Sequence, residues 1–99
     1  GRGTDHGWGG MHWIAGGSID GGRFFGRYPA SLLSDSELML SRGRIVPTLS
    51  WEAVWHGVAQ WMGVDEAAMT RVLPNLHYFA SDQLLTEADL YKPLPPPPA

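Results

Sequence analysis

The clearest pattern in the chain is the set Trp51, Val54, Trp55, Val58 and Met62, spaced three and four apart. Such spacing lines one stripe of a helix with apolar side chains and predicts that this stripe is buried. Glu52, His56 and Gln60 fall on another face, which predicts a solvated His56. Ser50 is a good N-cap, and Glu52 complements the helix dipole in the first turn. Gly57 costs the helix interior about 1 kcal/mol relative to Ala. Gly63 stands where a left-handed residue would end it. A second helix starts with Asp65 as cap and Glu66 in its first turn, and Val64 is placed to pack on Met69. Pro74 limits its extension. Helices are therefore expected near 51–62 and 66–73, with a weaker helical segment from Asp82 to Leu90.

The region ahead of these helices reads as short pieces between glycines. His12-Trp13-Ile14-Ala15 is a brief apolar run, and Arg23-Phe24-Phe25-Gly26-Arg27-Tyr28 is another, ended by Pro29. Both predict short strands within 12–28. Asp20-Gly21 marks a turn between them. Residues 30–44 read as a surface loop with a single helical turn near Ser36 to Leu40. Ile45-Val46 must be extended ahead of Pro47. Pro93-Leu94-Pro95-Pro96-Pro97-Pro98 predicts an extended polyproline II segment. Such a segment either trails in solvent or docks to an aromatic-lined groove of a partner.

Composition narrows the class. Ninety-nine residues suit one small domain or a piece of a larger one. Seven basic and ten acidic residues give a net charge of −3, which argues against a nucleic-acid partner. Arg23, Arg27, Arg42 and Arg44 are interleaved with apolar residues and read as ordinary surface charges, with contact to an anion as the alternative. Cysteine is absent, so disulfides, thiolate metal sites and thiol nucleophiles are excluded. No run approaches the roughly 20 apolar residues of a membrane span. The chain begins with Gly, and a processed, excised or partial polypeptide is expected.

Ten of the thirteen glycines lie in residues 1–26, and the candidate chemistry lies among them. Asp5 and His6 are adjacent, His12 follows, and all three are oxygen or nitrogen donors that suit zinc, manganese or iron. Neighbouring side chains diverge on a regular strand, so Asp5 and His6 converge only if the backbone turns. Gly7, Gly9 and Gly10 permit that turn. A capping Asp beside a hydrogen-bonded His would give the same letters. His77, after Pro74-Asn75-Leu76, reads as a surface or capping residue.

The segment Gly3-Thr4-Asp5-His6-Gly7 resembles the Thr-x-Asp-His-Gly segment of the alkaline phosphatase superfamily, which includes phosphatases, sulfatases and phosphomutases. A closer likeness is to an uncharacterised family within it, many of whose members carry a twin-arginine export signal. The matching succession is Asp5-His6-Gly7-Trp8-Gly9-Gly10, His12-Trp13, Gly16-Gly17 and Gly21-Gly22-Arg23. It continues with Phe25-Gly26-Arg27-Tyr28-Pro29, Gly43-Arg44-Ile45-Val46-Pro47-Thr48, Gly63-Val64 and Pro74-Asn75-Leu76. The likeness spans residues 3–79.

The resemblance implies an α/β fold, the C-terminal part of a three-layer αβα sandwich occupying residues 1–80, with 81–99 as a tail. It implies a metal-dependent hydrolase of small anionic phosphate or sulfate esters, with zinc or manganese as the divalent metal and two ions in the intact protein. Asp5 and His6 match the ligand pair of one ion. His12 stands where a later ligand His would fall, at a shorter interval than in well-characterised relatives. The family's nucleophile and acidic ligands belong to a preceding part of the domain, and none of the seven serines here has a nucleophile's context. The expected partner is thus the rest of the parent domain, and the expected location periplasmic or secreted. A non-catalytic binding module, or a family member that has lost one metal, is the alternative.

Overall fold

A computed structural model describes residues 9–98. They form a small mixed helix and strand structure in two compact units, one of residues 9–13 and 24–49, the other of 14–23 and 50–98.

The second unit is built on α1 (Trp51–Trp61). The Ser50 hydroxyl accepts from the Ala53 amide at 3.0 Å, as a capping serine should. At the other end Gly63 takes a positive φ of 90°. Its amide donates to the Gln60 carbonyl, and the Val64 amide donates to that of Ala59, both at 3.0 Å. These two bonds satisfy the last carbonyls in a Schellman arrangement. Helix α2 (Glu66–Val72) is capped by Asp65, whose Oδ1 accepts from the Ala68 amide at 2.9 Å. Both helices lie where the pattern placed them.

The weak third segment is broken into a 3-10 turn at Ser81–Gln83 and a one-turn helix, α3 (Glu87–Leu90). The Gln83 side chain accepts from the Ala80 amide at 2.8 Å and closes the first turn. The Asp89 carboxylate accepts from the Thr86 amide and hydroxyl at 2.7 and 3.0 Å and closes the second. Residues 85–91 then run along α1. The Leu85 amide donates to the Ala53 carbonyl at 3.2 Å, and the Glu87 amide to Gln60 Oε1 at 2.9 Å. Tyr91 stacks on Trp61 with ring centroids 4.6 Å apart and planes 4° from parallel.

This run decides which face of α1 is buried. The buried residues of the helix are Ala53, Gly57 and Ala59, joined in the core by Met69 and Leu90. The expected stripe turns the other way. Trp51, Trp55 and Met62 are 50%, 49% and 72% exposed, while Val54 and Val58 are half-buried. The reason is steric. A Cβ on Gly57 would stand 2.7 Å from Leu90 Cδ1 and 2.9 Å from the Thr86 carbonyl oxygen. Main chain comes that close only to a helix face of small side chains.

The strands expected within 12–28 do not form among the described residues. A strand needs a neighbour to satisfy its amides and carbonyls, and glycine weakens an isolated one. Ser18 to Asp20 do find a main-chain neighbour, beside Leu90 to Lys92. Ile19 and Tyr91 make an isolated antiparallel bridge. The Asp20 amide donates to the Leu90 carbonyl and the Lys92 amide to that of Ser18, each at 2.9 Å.

The two-stranded sheet lies instead in the stretch read as loop. Strands β1 (Met39–Leu40) and β2 (Arg44–Ile45) pair antiparallel, with Met39 opposite Ile45 and Leu40 opposite Arg44. Arg42 and Gly43, with φ of 66° and 74°, turn the chain between them. The extended Ile45-Val46 is as expected, and the Val46 amide donates to the Leu38 carbonyl at 2.8 Å.

Replacing Gly57 tests the packing directly. Ala is the better helix former by about 1 kcal/mol, whereas overpacking against main chain costs about 1–3 kcal/mol. Gly57→Ala should therefore lower the urea midpoint of unfolding. A midpoint equal to or above that of the parent chain would rule out the close approach at Thr86 and Leu90.

Candidate functional site

Of the three expected metal ligands, Asp5 and His6 lie outside the described residues. His12 is exposed on the loop that follows Gly9 and Gly10 in the first unit, with the neighbouring Trp13 85% exposed. Gly10 lies close to its ring, since a Cβ there would stand 3.9 Å from His12 Nε2. Among the described residues, no three His, Asp or Glu side chains gather into a metal-binding group.

Within the first unit, segments far apart in sequence do meet. A Cβ on Gly9 would meet the Ile45 carbonyl oxygen of β2 at 2.8 Å, so the glycine loop rests on that strand's backbone. Gly26 has a positive φ of 82°, and its missing Cβ would lie 3.2 Å from both Thr48 Oγ1 and Leu49 Cβ. Beside it, Arg27 and Thr48 bond reciprocally. The Arg27 amide donates to Thr48 Oγ1 at 2.6 Å, and the Thr48 hydroxyl donates to the Arg27 carbonyl at 3.1 Å. The Gly-Arg segment at 26–27 and the Pro-Thr segment at 47–48 are thus two halves of one joint. A hydroxyl is needed there because it both accepts and donates. Twenty-one residues separate the partners, so local pattern could not reveal the pairing.

Arg23, Arg27 and Arg44 all have partners within the chain. Arg23 bonds Asp20 Oδ2 at 3.1 Å and the Asp89 carbonyl at 2.7 Å. Arg27 pairs with Glu37 on an exposed surface. Arg44 donates to the carbonyl and hydroxyl of Ser41, each at 3.0 Å. These contacts agree with ordinary surface charges. A shallow depression in the first unit is lined by Leu32, Ser34, Met39 and Ser41 to Gly43. It has no carboxylate or imidazole in its lining and is not the expected metal site.

The other two histidines have structural partners. His77 Nδ1 bonds the Pro74 carbonyl at 3.1 Å, the capping role its position suggested. His56 differs from expectation. It is half-buried, and its Nδ1 donates to the Leu85 carbonyl at 2.6 Å, so the ring fixes the 85–91 run on α1. The polar face holding Glu52, His56 and Gln60 meets chain there, not only water. On the outward side, Trp51 and Trp55 stack with centroids 5.9 Å apart and planes 19° from parallel.

No family model, curated protein or solved structure matches the chain. Among the described residues, no helix is long and apolar enough to cross a membrane.

The joint at Thr48 gives a site-specific expectation. Thr48→Val keeps the side chain's shape and removes both bonds, at a net cost of about 1 kcal/mol. The Arg27 amide should then exchange with solvent faster, as read by hydrogen exchange. Unchanged protection of that amide would show that the hydroxyl does not hold it.

Proposed function

We propose that this chain supplies metal ligands to a hydrolase of phosphate or sulfate esters, as the C-terminal portion of an alkaline-phosphatase-like αβα sandwich. The observation that carries the reading is the ordered succession of motifs over residues 3–79. The meeting of Gly9 with Ile45, and of Arg27 with Thr48, supports it by giving separated motifs a common packing reason.

The donor set fits a borderline divalent cation. Asp5 would bring a carboxylate that offsets the ion's charge, and His6 a neutral ring nitrogen, with zinc or manganese the suitable ions. The second nitrogen of His6 would need an acceptor to fix the ring. His12 would add an imidazole from the same glycine loop. When bound, the metal would polarise the ester oxygens and stabilise charge that develops on them. Trp8 and Trp13 would wall the site and exclude water. The nucleophile and the remaining acidic ligands would come from the rest of the parent domain, and the export signal of the resembling family suggests a periplasmic or secreted location.

The outward tryptophan face of α1 fits this reading, because a larger domain would cover it. It also gives the second reading its own support. Stacked, half-exposed tryptophans suit a binding module for a partner or glycan, with Asp5 and His6 acting only as turn hydrogen-bonders.

The two readings separate in the full-length gene product. Purified at neutral pH, it should carry zinc or manganese by elemental analysis and cleave an aryl phosphate or aryl sulfate. His6→Ala should lower both metal content and turnover, while His77→Ala should leave them unchanged. A parent protein without transition metal, or a His6→Ala variant with full metal content, would overturn the hydrolase reading.

A further inference from the structure

The segment after Tyr91 takes no part in the proposed chemistry, yet its root is firmly held. Tyr91 bridges Ile19 and stacks on Trp61, and the Lys92 amide is bonded to Ser18. Beyond that point residues 92–98 are all exposed and belong to no helix or strand, with Leu94 85% exposed. Five of these seven residues are proline. Each proline ring fixes its own φ, and each residue ahead of a proline is driven to the extended region. The stretch is therefore restricted to a left-handed polyproline II helix before it meets any partner, and little entropy remains to be lost on docking.

That helix has three residues per turn, so positions three apart share an edge. Lys92, Pro95 and Pro98 fall on one edge, and Leu94 and Pro97 on the next. Two adjacent edges thus offer the dipeptides Leu94-Pro95 and Pro97-Pro98 one turn apart. Lys92 stands one turn before the first. It is the chain's only lysine, and among the described residues no carboxylate forms an ion pair with it. Two apolar dipeptides and one cation in register match a groove with two aromatic-walled slots and a carboxylate cluster at one end.

We propose that Lys92–Pro98 is a recognition segment for a partner protein carrying such a groove, of the kind found in SH3 domains. The prolines fill the aromatic slots and set the register. The Lys92 ammonium pairs with the acidic end and sets the direction in which the segment lies. The root is fixed at Tyr91, and the segment beyond it stands exposed.

The test uses the whole chain and a purified, nitrogen-15-labelled SH3 domain whose groove has an acidic end. Adding the chain should shift the amide resonances of the groove residues in a saturable way. Lys92→Glu should weaken the binding about five-fold, the effect of losing one exposed ion pair of about 1 kcal/mol. The double variant Pro95→Ala, Pro98→Ala should abolish the shifts, although both positions lie outside the folded core. Groove resonances that do not move, or a double variant that binds as well as the parent chain, would overturn the proposal. Equal binding by Lys92→Glu would overturn the assigned direction and the acidic partner chemistry.

Discussion

Gly57 has no side chain, and the space where one would stand holds the Thr86 carbonyl and the Leu90 side chain. The arrangement of the second unit follows from that contact. It lets residues 85–91 lie along α1 at main-chain distance, close enough for Leu85 to bond Ala53 and for Glu87 to bond Gln60. The His56 imidazole then reaches the Leu85 carbonyl, and Tyr91 arrives over Trp61. Residues 18–20 pair with 90–92, the end of the run that lies along α1. A glycine that reads as a weakness in an isolated helix is therefore the point at which the helix acquires its neighbour.

The same contact sets what is left outside. A helix gives its small-residue face to a close neighbour or its large-residue face to a distant one. Here the small face is occupied, and Trp51, Trp55 and Met62 remain substantially exposed. Stacking between the two indoles removes some of their apolar area from water. Apolar surface of this kind on one side of a helix marks a place where further structure can bind. It is the physical link between the packing of this chain and both readings of its function.

The legible parts of the fold were those governed by neighbours in sequence. Ser50, Asp65 and Gly63 cap and stop their helices through bonds spanning a few residues, and each does what its chemistry required. The burial of α1 is not legible from its sequence because a large apolar stripe is a stronger signal than two small residues four apart. Ala53 and Gly57 were the available sign of close approach. Strand formation in 12–28 is not legible because an apolar run shows extension but not a pairing partner. The hairpin at 39–45 leaves no sequence signal because its strands have two residues each and its turn uses Arg42 in a left-handed conformation. For the candidate site, the donor types Asp5, His6 and His12 are legible from letters alone, whereas convergence of side chains is a matter of tertiary packing, and Asp5 and His6 lie outside the described residues. The Arg27–Thr48 joint, with partners far apart in sequence, had no local signal at all.

By itself, the sequence determined the helix termini, the extended proline segment, the absence of thiol chemistry and the donor set of the glycine-rich front. Each depends on one residue's own stereochemistry or on partners within a turn. The tertiary structure alone decided which face of α1 is covered, which short segments find strand partners, and which distant segments meet. Those outcomes depend on satisfying backbone groups and excluding volume between segments brought together only by folding. Such distances are properties of the folded chain, and no single stretch of residues contains them.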